Sequence, residues 1–228
     1  MLDNILTIIA PHHCCSCQQT GSLLCISCIY NIAQEHASTC TNCGKPSVDG
    51  VCGECGKKVA YQKGWCVGAR DEALKELIDR YKFRNAKAAH KPLATLLHQT
   101  LPVLPNTTVV TYIPTIGRHI RTRGYDHARL VAKTFARQRK LSLKPILRRQ
   151  TASVQRNAPS AREREKQAAA AFRCSHRLDK GTPYLIIDDV MTTGATLRSA
   201  AKCLHQAGAE QIYIAAIARQ PLDSARDL

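Results

Sequence analysis

No stretch of this 228-residue chain approaches the roughly 18 consecutive apolar residues that a membrane-crossing helix needs, so no membrane insertion is expected. The opening "MLDNILTIIAPHH" is apolar but short, and Asp3 stands where a secretory leader carries positive charge. A cytoplasmic location is expected. Aromatic residues are scarce at 5%, with one Trp and three Phe. That scarcity counts against a non-specific single-strand binder, which usually stacks bases on rings. The G-x-x-x-x-G-K-[ST] loop is missing as well, which removes the usual triphosphate cradle. Acids are few: 17 Asp and Glu stand against 33 Lys and Arg, for a formal charge of +16.

What is present is unevenly placed. Between Ile116 and Arg177 there are 17 Lys and Arg against three acids, Asp126, Glu163 and Glu165. Such a field attracts polyanions, either nucleic acid or a phosphorylated metabolite, and its arginines suit phosphate. Ten of the twelve cysteines lie in the first 66 residues. Eight of them form four C-x-x-C pairs: Cys14/Cys17, Cys25/Cys28, Cys40/Cys43 and Cys52/Cys55. A two-residue gap turns both thiolates toward one ion, and two such turns complete a tetrahedral zinc site. The short connections suit sequential pairing, first with second and third with fourth, and a cross-brace is the alternative. Gly44 and Gly56 follow the second cysteine of two pairs, where a tight turn needs a small residue. Four thiolates per ion leave no open position for water, so the zinc is expected to be structural. His12 and His13 are not needed as ligands, and Cys15 and Cys66 fall outside the spacing.

Beyond residue 60 strand and helix patterns alternate. "GWCVGA" (64–69), "TVVTYIP" (108–114), "YLIIDD" (184–189) and "QIYIAAIA" (211–218) read as strands. Leu74, Leu77, Ile78 and Tyr81 recur at helical spacing. Helices are also expected over 128–140, over 197–206 with Gly208 ending it, and from a Ser160/Glu163 capping box toward Phe172. The pattern predicts an α/β fold, a mostly parallel sheet flanked by helices (61–228) behind a small four-cysteine zinc-binding domain (1–60). Sheets of this kind bind ligands beyond the carboxyl ends of their strands.

Asp188 and Asp189 come where the strand Leu185–Ile187 should emerge from the sheet. Adjacent carboxylates repel, and vicinal ribose hydroxyls or a divalent metal would compensate them. "MTTGAT" (191–196) follows at a helix start, where backbone N–H groups and the hydroxyls of Thr192, Thr193 and Thr196 can meet one phosphate. Gly194 lets the main chain approach closely.

"LIIDDVMTTGAT" resembles the phosphoribosyl-pyrophosphate (PRPP) signature of type I phosphoribosyltransferases. The resemblance implies that Asp188 and Asp189 take the ribose diol. The loop Val190, Met191, Thr192, Thr193, Gly194, Ala195 and Thr196 would take the 5′-phosphate, with Mg2+ accompanying PRPP. Four C-x-x-C pairs ahead of such a domain resemble the ComF family, tied to natural DNA uptake in bacteria. "RHIRTRGYDHARLVA" (118–132) is similar to that family's R-x-R-G-[FY]-[ND]-x-A stretch, and "LKELIDRYKF" (74–83), with Lys82, to a helix ahead of its first domain strands. Gln167 stands where many relatives carry Asn.

Arg121 and Arg123 either meet pyrophosphate or nucleic-acid phosphate, or form a solvated basic face. His119 and His127 read as structural. Three functions fit: a PRPP-binding accessory protein of DNA uptake that holds single-stranded DNA and works with uptake-machinery proteins, an active phosphoribosyltransferase, or a PRPP-sensing regulator. No nucleobase reader stands out, and catalysis is left open.

Overall fold

The computed structural model describes residues 12–35, 38–150 and 171–220. The expected helix from Ser160, with Gln167, lies outside the described residues, while Phe172 itself opens a strand.

The cysteine-rich segment is built twice. His13 bridges Thr20 and Thr39 bridges Pro46, each closing a turn around a C-x-x-C pair. The residue after each of these pairs takes a left-handed backbone, Gln18 at φ 62° and Gly44 at φ 79°. The remaining two pairs open helices, α1 (Ile26–Gln34) with Cys25 as its N-cap and α2 (Gly53–Gly56) with Cys52 as its N-cap.

The sheet follows. Five parallel strands lie in the order β1-β7-β6-β2-β3: β1 (Lys63–Ala69), β2 (Val109–Tyr112), β3 (Ser142–Leu143), β6 (Pro183–Met191) and β7 (Gln211–Arg219). Helices α3 (Glu72–Phe83), α4 (His90–Thr100), α5 (Gly117–Arg123), α6 (His127–Arg139) and α7 (Ala195–Gln206) connect them. An antiparallel pair, β4 (Leu147–Arg149) with β5 (Phe172–Cys174), stands apart from the sheet.

Buried side chains fall on the two faces of the sheet. Leu185 and Ile187 of β6 share one face with Leu74, Leu77, Ile78 and Tyr81 of α3, the residues picked out by helical spacing. Burying four such side chains contributes about 2 kcal/mol each. Tyr184 and Ile186 face the other way, onto Leu197, Ala200 and Leu204 of α7.

The two halves of the cysteine module divide along the same line. Cys15, Leu23, Leu24 and Ile29 join the face with α3 and α4, while Val51, Val59 and Tyr61 join the face with α7. Between them the chain covers the edge strand β1: the Gly64 N–H donates to the Asp49 carbonyl at 2.9 Å. Covering it keeps a bare strand edge from pairing with other chains. Gly50 (φ +69°) is obligatory in this cover, since a Cβ there would lie 1.6 Å from the Gly64 carbonyl oxygen.

Candidate functional site: a charged cleft at the sheet's switch point

β6 pairs with β7 as far as Met191↔Arg219, but with β2 only as far as Ile187↔Tyr112. The strand therefore continues past the acidic pair on one side and has emerged on the other. Beyond the paired residues the Ile113 N–H still donates to the Ile187 carbonyl at 3.0 Å, and the chain leaves β6 from Pro114 onward. From β2 the chain leaves outward to β3, and from β6 it turns the opposite way to β7. That divergence is a topological switch point, where sheets of this class open a crevice. A cleft of about 760 Å³ opens there.

Because β6 is extended through both aspartates, their side chains leave on opposite faces, which limits their mutual repulsion. Asp189 is held on the α3/α6 face. Its Oδ1 accepts from Lys82 Nζ at 2.8 Å and its Oδ2 lies 2.8 Å from His127 Nε2. Burial alone would raise its pKa, but the hydrogen bond from His127 and the charge of Lys82 hold it well below the usual carboxylate range. Arg123 Nη1 meets His127 Nδ1 at 2.9 Å. A guanidinium only donates, so Nδ1 presents its lone pair and Nε2 carries the proton toward Asp189. Asp189 lines the cleft, although its Oδ2 atom is itself buried from solvent.

Asp188 is the opposite case. Burial, and then the charge of Asp189, push its pKa up to about 7. Its Oδ1 accepts the Asp189 N–H at 2.9 Å. A hydroxyl pair or a cation arriving in the cleft would relieve this destabilised carboxylate.

Arg70, Lys82, Arg123 and Arg149 supply positive charge around the pair, and Thr192 and Thr196 line the wall at the start of α7. Arg149 is anchored by donating from Nε to the Pro114 carbonyl at 2.7 Å. Of the two arginines marked in the sequence, Arg123 lines the cleft, while Arg121 sits exposed on α5 outside its lining. Lys82 comes from α3, His127 from α6, Arg149 from β4 and Arg70 from the connection after β1. Spacing does not reveal such a gathering, although the family-like helix stretch did contain Lys82.

The loop before α7 is pinned from behind. Gly194 (φ +72°) is the N-cap. Arg198 Nη1 donates to the Thr193 carbonyl at 2.6 Å and to Asn42 Oδ1 at 2.9 Å. Asn42 Nδ2 in turn donates to Cys55 Sγ at 3.2 Å. A run of three hydrogen bonds thus joins the cysteine module to the loop.

The eight cysteines gather as two groups, Cys14, Cys17, Cys25 and Cys28, and Cys40, Cys43, Cys52 and Cys55, which is the sequential pairing. Within each group all sulfurs lie within 4.8 Å of one another. Cys17 and Cys25 Sγ are 3.7 Å apart, and Cys43 and Cys52 Sγ are 3.6 Å apart. A zinc tetrahedron with about 2.3 Å arms has edges of roughly 3.8 Å, so both groups fit zinc. His13 stays out of both, engaged with the Gln18 carbonyl. Cys15 is buried in the core, and burial pushes the Cys66 thiol up to about 12, as expected of cysteines outside the ligand sets. Cys174 and Cys203, isolated in the sequence, meet at 3.3 Å between β5 and α7.

Residues 128–227 match the phosphoribosyl transferase domain family. The chain is similar to "Competence protein F" of Haemophilus influenzae, 28% identical over 221 residues, covering 86% of this chain and 96% of that protein. It is similar to "Competence protein ComFC" of Bacillus subtilis, 26% identical over 195 residues, covering 81% and 79%. A third relative is "DNA utilization protein YhgH" of Salmonella typhimurium, 26% identical over 223 residues, covering 92% and 97%.

Proposed function

We propose that this chain is a member of the ComF family, binds PRPP in its cleft and acts in the uptake and processing of single-stranded DNA. The observation that carries this reading is the acidic pair at the switch point, one carboxylate held ionised by Lys82 and His127 and the other destabilised by burial. Asp188 and Asp189 would accept from the two ribose hydroxyls. Val190 to Thr196 would hold the 5′-phosphate with backbone N–H groups and threonine hydroxyls, where the helix dipole adds attraction. Arg123 would meet the pyrophosphate end. Mg2+ would arrive with PRPP and shield its oxygens.

The module over residues 1–60 is read as a zinc-bearing cover on the domain over 61–228, with Cys14, Cys17, Cys25, Cys28 and Cys40, Cys43, Cys52, Cys55 as ligands. Zinc would hold each group's turns in place and supply folding free energy to a segment short of apolar residues. A reducing cytoplasm keeps such thiolates available. Among the described residues no helix is long and apolar enough to cross a membrane.

Transfer of the phosphoribosyl group to an acceptor is a second reading, favoured by the three arginines Arg70, Arg123 and Arg149 around the carboxylates, where a departing pyrophosphate would be stabilised. The DNA reading is tested by fluorescence anisotropy with single-stranded DNA at increasing salt. Affinity should fall steeply, and absence of binding at low salt would remove that arm. Pyrophosphate release from PRPP, in the presence of nucleobases or DNA, separates transfer from binding alone.

A further inference from the structure

Large apolar side chains that stay exposed are unusual beside so charged a cleft. Two of them line it: Phe83, 69% exposed at the end of α3, and Ile116, 41% exposed before α5. Phe83 is not loose. The guanidinium of Arg123 lies over its ring at 5.4 Å, and the same guanidinium reaches His127, which contacts Asp189. One ring face is therefore covered by a planar cation and the side chain is otherwise open. Asn85, two residues on and also lining the cleft, holds a left-handed backbone at φ 52° and offers one amide donor–acceptor edge.

We infer that Phe83, backed by Arg123 and sharing the cleft's lining with Ile116, is a stacking platform for a nucleobase. This deepens the reading of the cleft as a PRPP site and rests on it. An aromatic ring beside a guanidinium presents two π surfaces to a flat heterocycle, and every base has such a face, so stacking tolerates all of them. The cations next to the ring suit a base that comes attached to phosphate. A platform this close to the sugar-binding carboxylates needs no other ring, which offsets the chain's low aromatic content. The base could belong to a single strand of DNA or to a free base or mononucleotide.

The test compares the wild-type chain with Phe83→Leu and Phe83→Trp, by anisotropy with labelled oligo-dT, an abasic oligomer of the same length, and free adenine or AMP as competitors. Phe83→Leu keeps apolar bulk and loses the ring. It should weaken oligo-dT binding roughly 10-fold and leave the abasic oligomer unchanged. Phe83→Trp should restore oligo-dT binding, and its added emission should be quenched by the base-bearing ligand. Competition by AMP or adenine assigns the site to small ligands, and its absence assigns it to the strand; both keep the platform. Equal affinity of Phe83→Leu and wild type for oligo-dT would overturn it, as would an equal loss on both oligomers. If leucine suffices, the patch serves apolar contact, as with a partner protein. PRPP titrations on the same variants separate the two claims: this inference can fail while PRPP binds, whereas a wild-type chain that ignores PRPP refutes the sugar-phosphate reading itself.

Discussion

At the scale of single residues, the two aspartates divide the work because their surroundings differ. The Asp188 carboxyl, pushed by burial up to about 7 from the ordinary carboxylate range, keeps in the folded chain a proton that the unfolded chain releases. Its contribution to stability therefore falls as pH rises from about 4 to about 7 and levels off above. A ribose diol needs the ionised form as acceptor, so PRPP affinity should climb between pH 6 and pH 8 and then plateau. Calorimetry across that range checks the slope. Asp188→Asn should flatten the profile, weaken PRPP about 10-fold or more, and raise the thermal midpoint at pH 8. Stability and binding moving in opposite directions is the signature of a residue kept for its ligand. Lys82 is a contrasting case. Removing it leaves Asp189 buried with His127 as its remaining partner, so Lys82→Met should cost about 2–3 kcal/mol in urea denaturation. The aspartates were legible in the sequence because they break a buried strand. His127 was not legible as a site residue, since a single histidine at a helix start carries no mark of the carboxylate it meets 62 positions along the chain (127 to 189).

At the scale of elements, the loop between β6 and α7 is the proposed phosphate end of the site. Gly194 takes φ +72°, and an added Cβ would approach Arg198 Nη1 to 3.2 Å. Gly194→Ala should cost about 1–2 kcal/mol and displace the guanidinium that holds the Thr193 carbonyl, lowering affinity for PRPP more than stability. A loss of stability without a loss of affinity would show that the loop's shape is not what phosphate reads. The strands with long apolar runs and the helix of Leu74, Leu77, Ile78 and Tyr81 were legible, because burial on both faces or on one stripe leaves a periodic trace. Helix α5 was not: it buries no residue, and its arginines read as a charged stretch of any conformation. The β4–β5 pair escaped too, since three-residue strands separated by more than 20 residues leave no local pattern.

At the scale of the whole molecule, the cysteine module and the cleft form one structure. The four C-x-x-C pairs were plain in the sequence, where short connections suited sequential pairing and left a cross-brace open. The path from Cys55 through Asn42 and Arg198 to Thr193 was not, because Asn42 and Arg198 are 156 residues apart. Metal analysis should find two zinc ions per chain. Their removal by a strong chelator should lower the thermal midpoint and also weaken PRPP binding. Asn42→Ala should reproduce part of the weakening, a few-fold, with zinc content unchanged; a metal count below one per chain would refute the zinc assignment. The central claim is that the switch-point cleft is a PRPP site built on the acidic pair. Titration of PRPP with Mg2+ into the zinc-loaded chain by calorimetry tests it most directly. Saturable binding of one PRPP per chain is expected, lost in a variant carrying both Asp188→Asn and Asp189→Asn that still folds. Absence of binding to the wild-type chain, or equal binding to that variant, would contradict it.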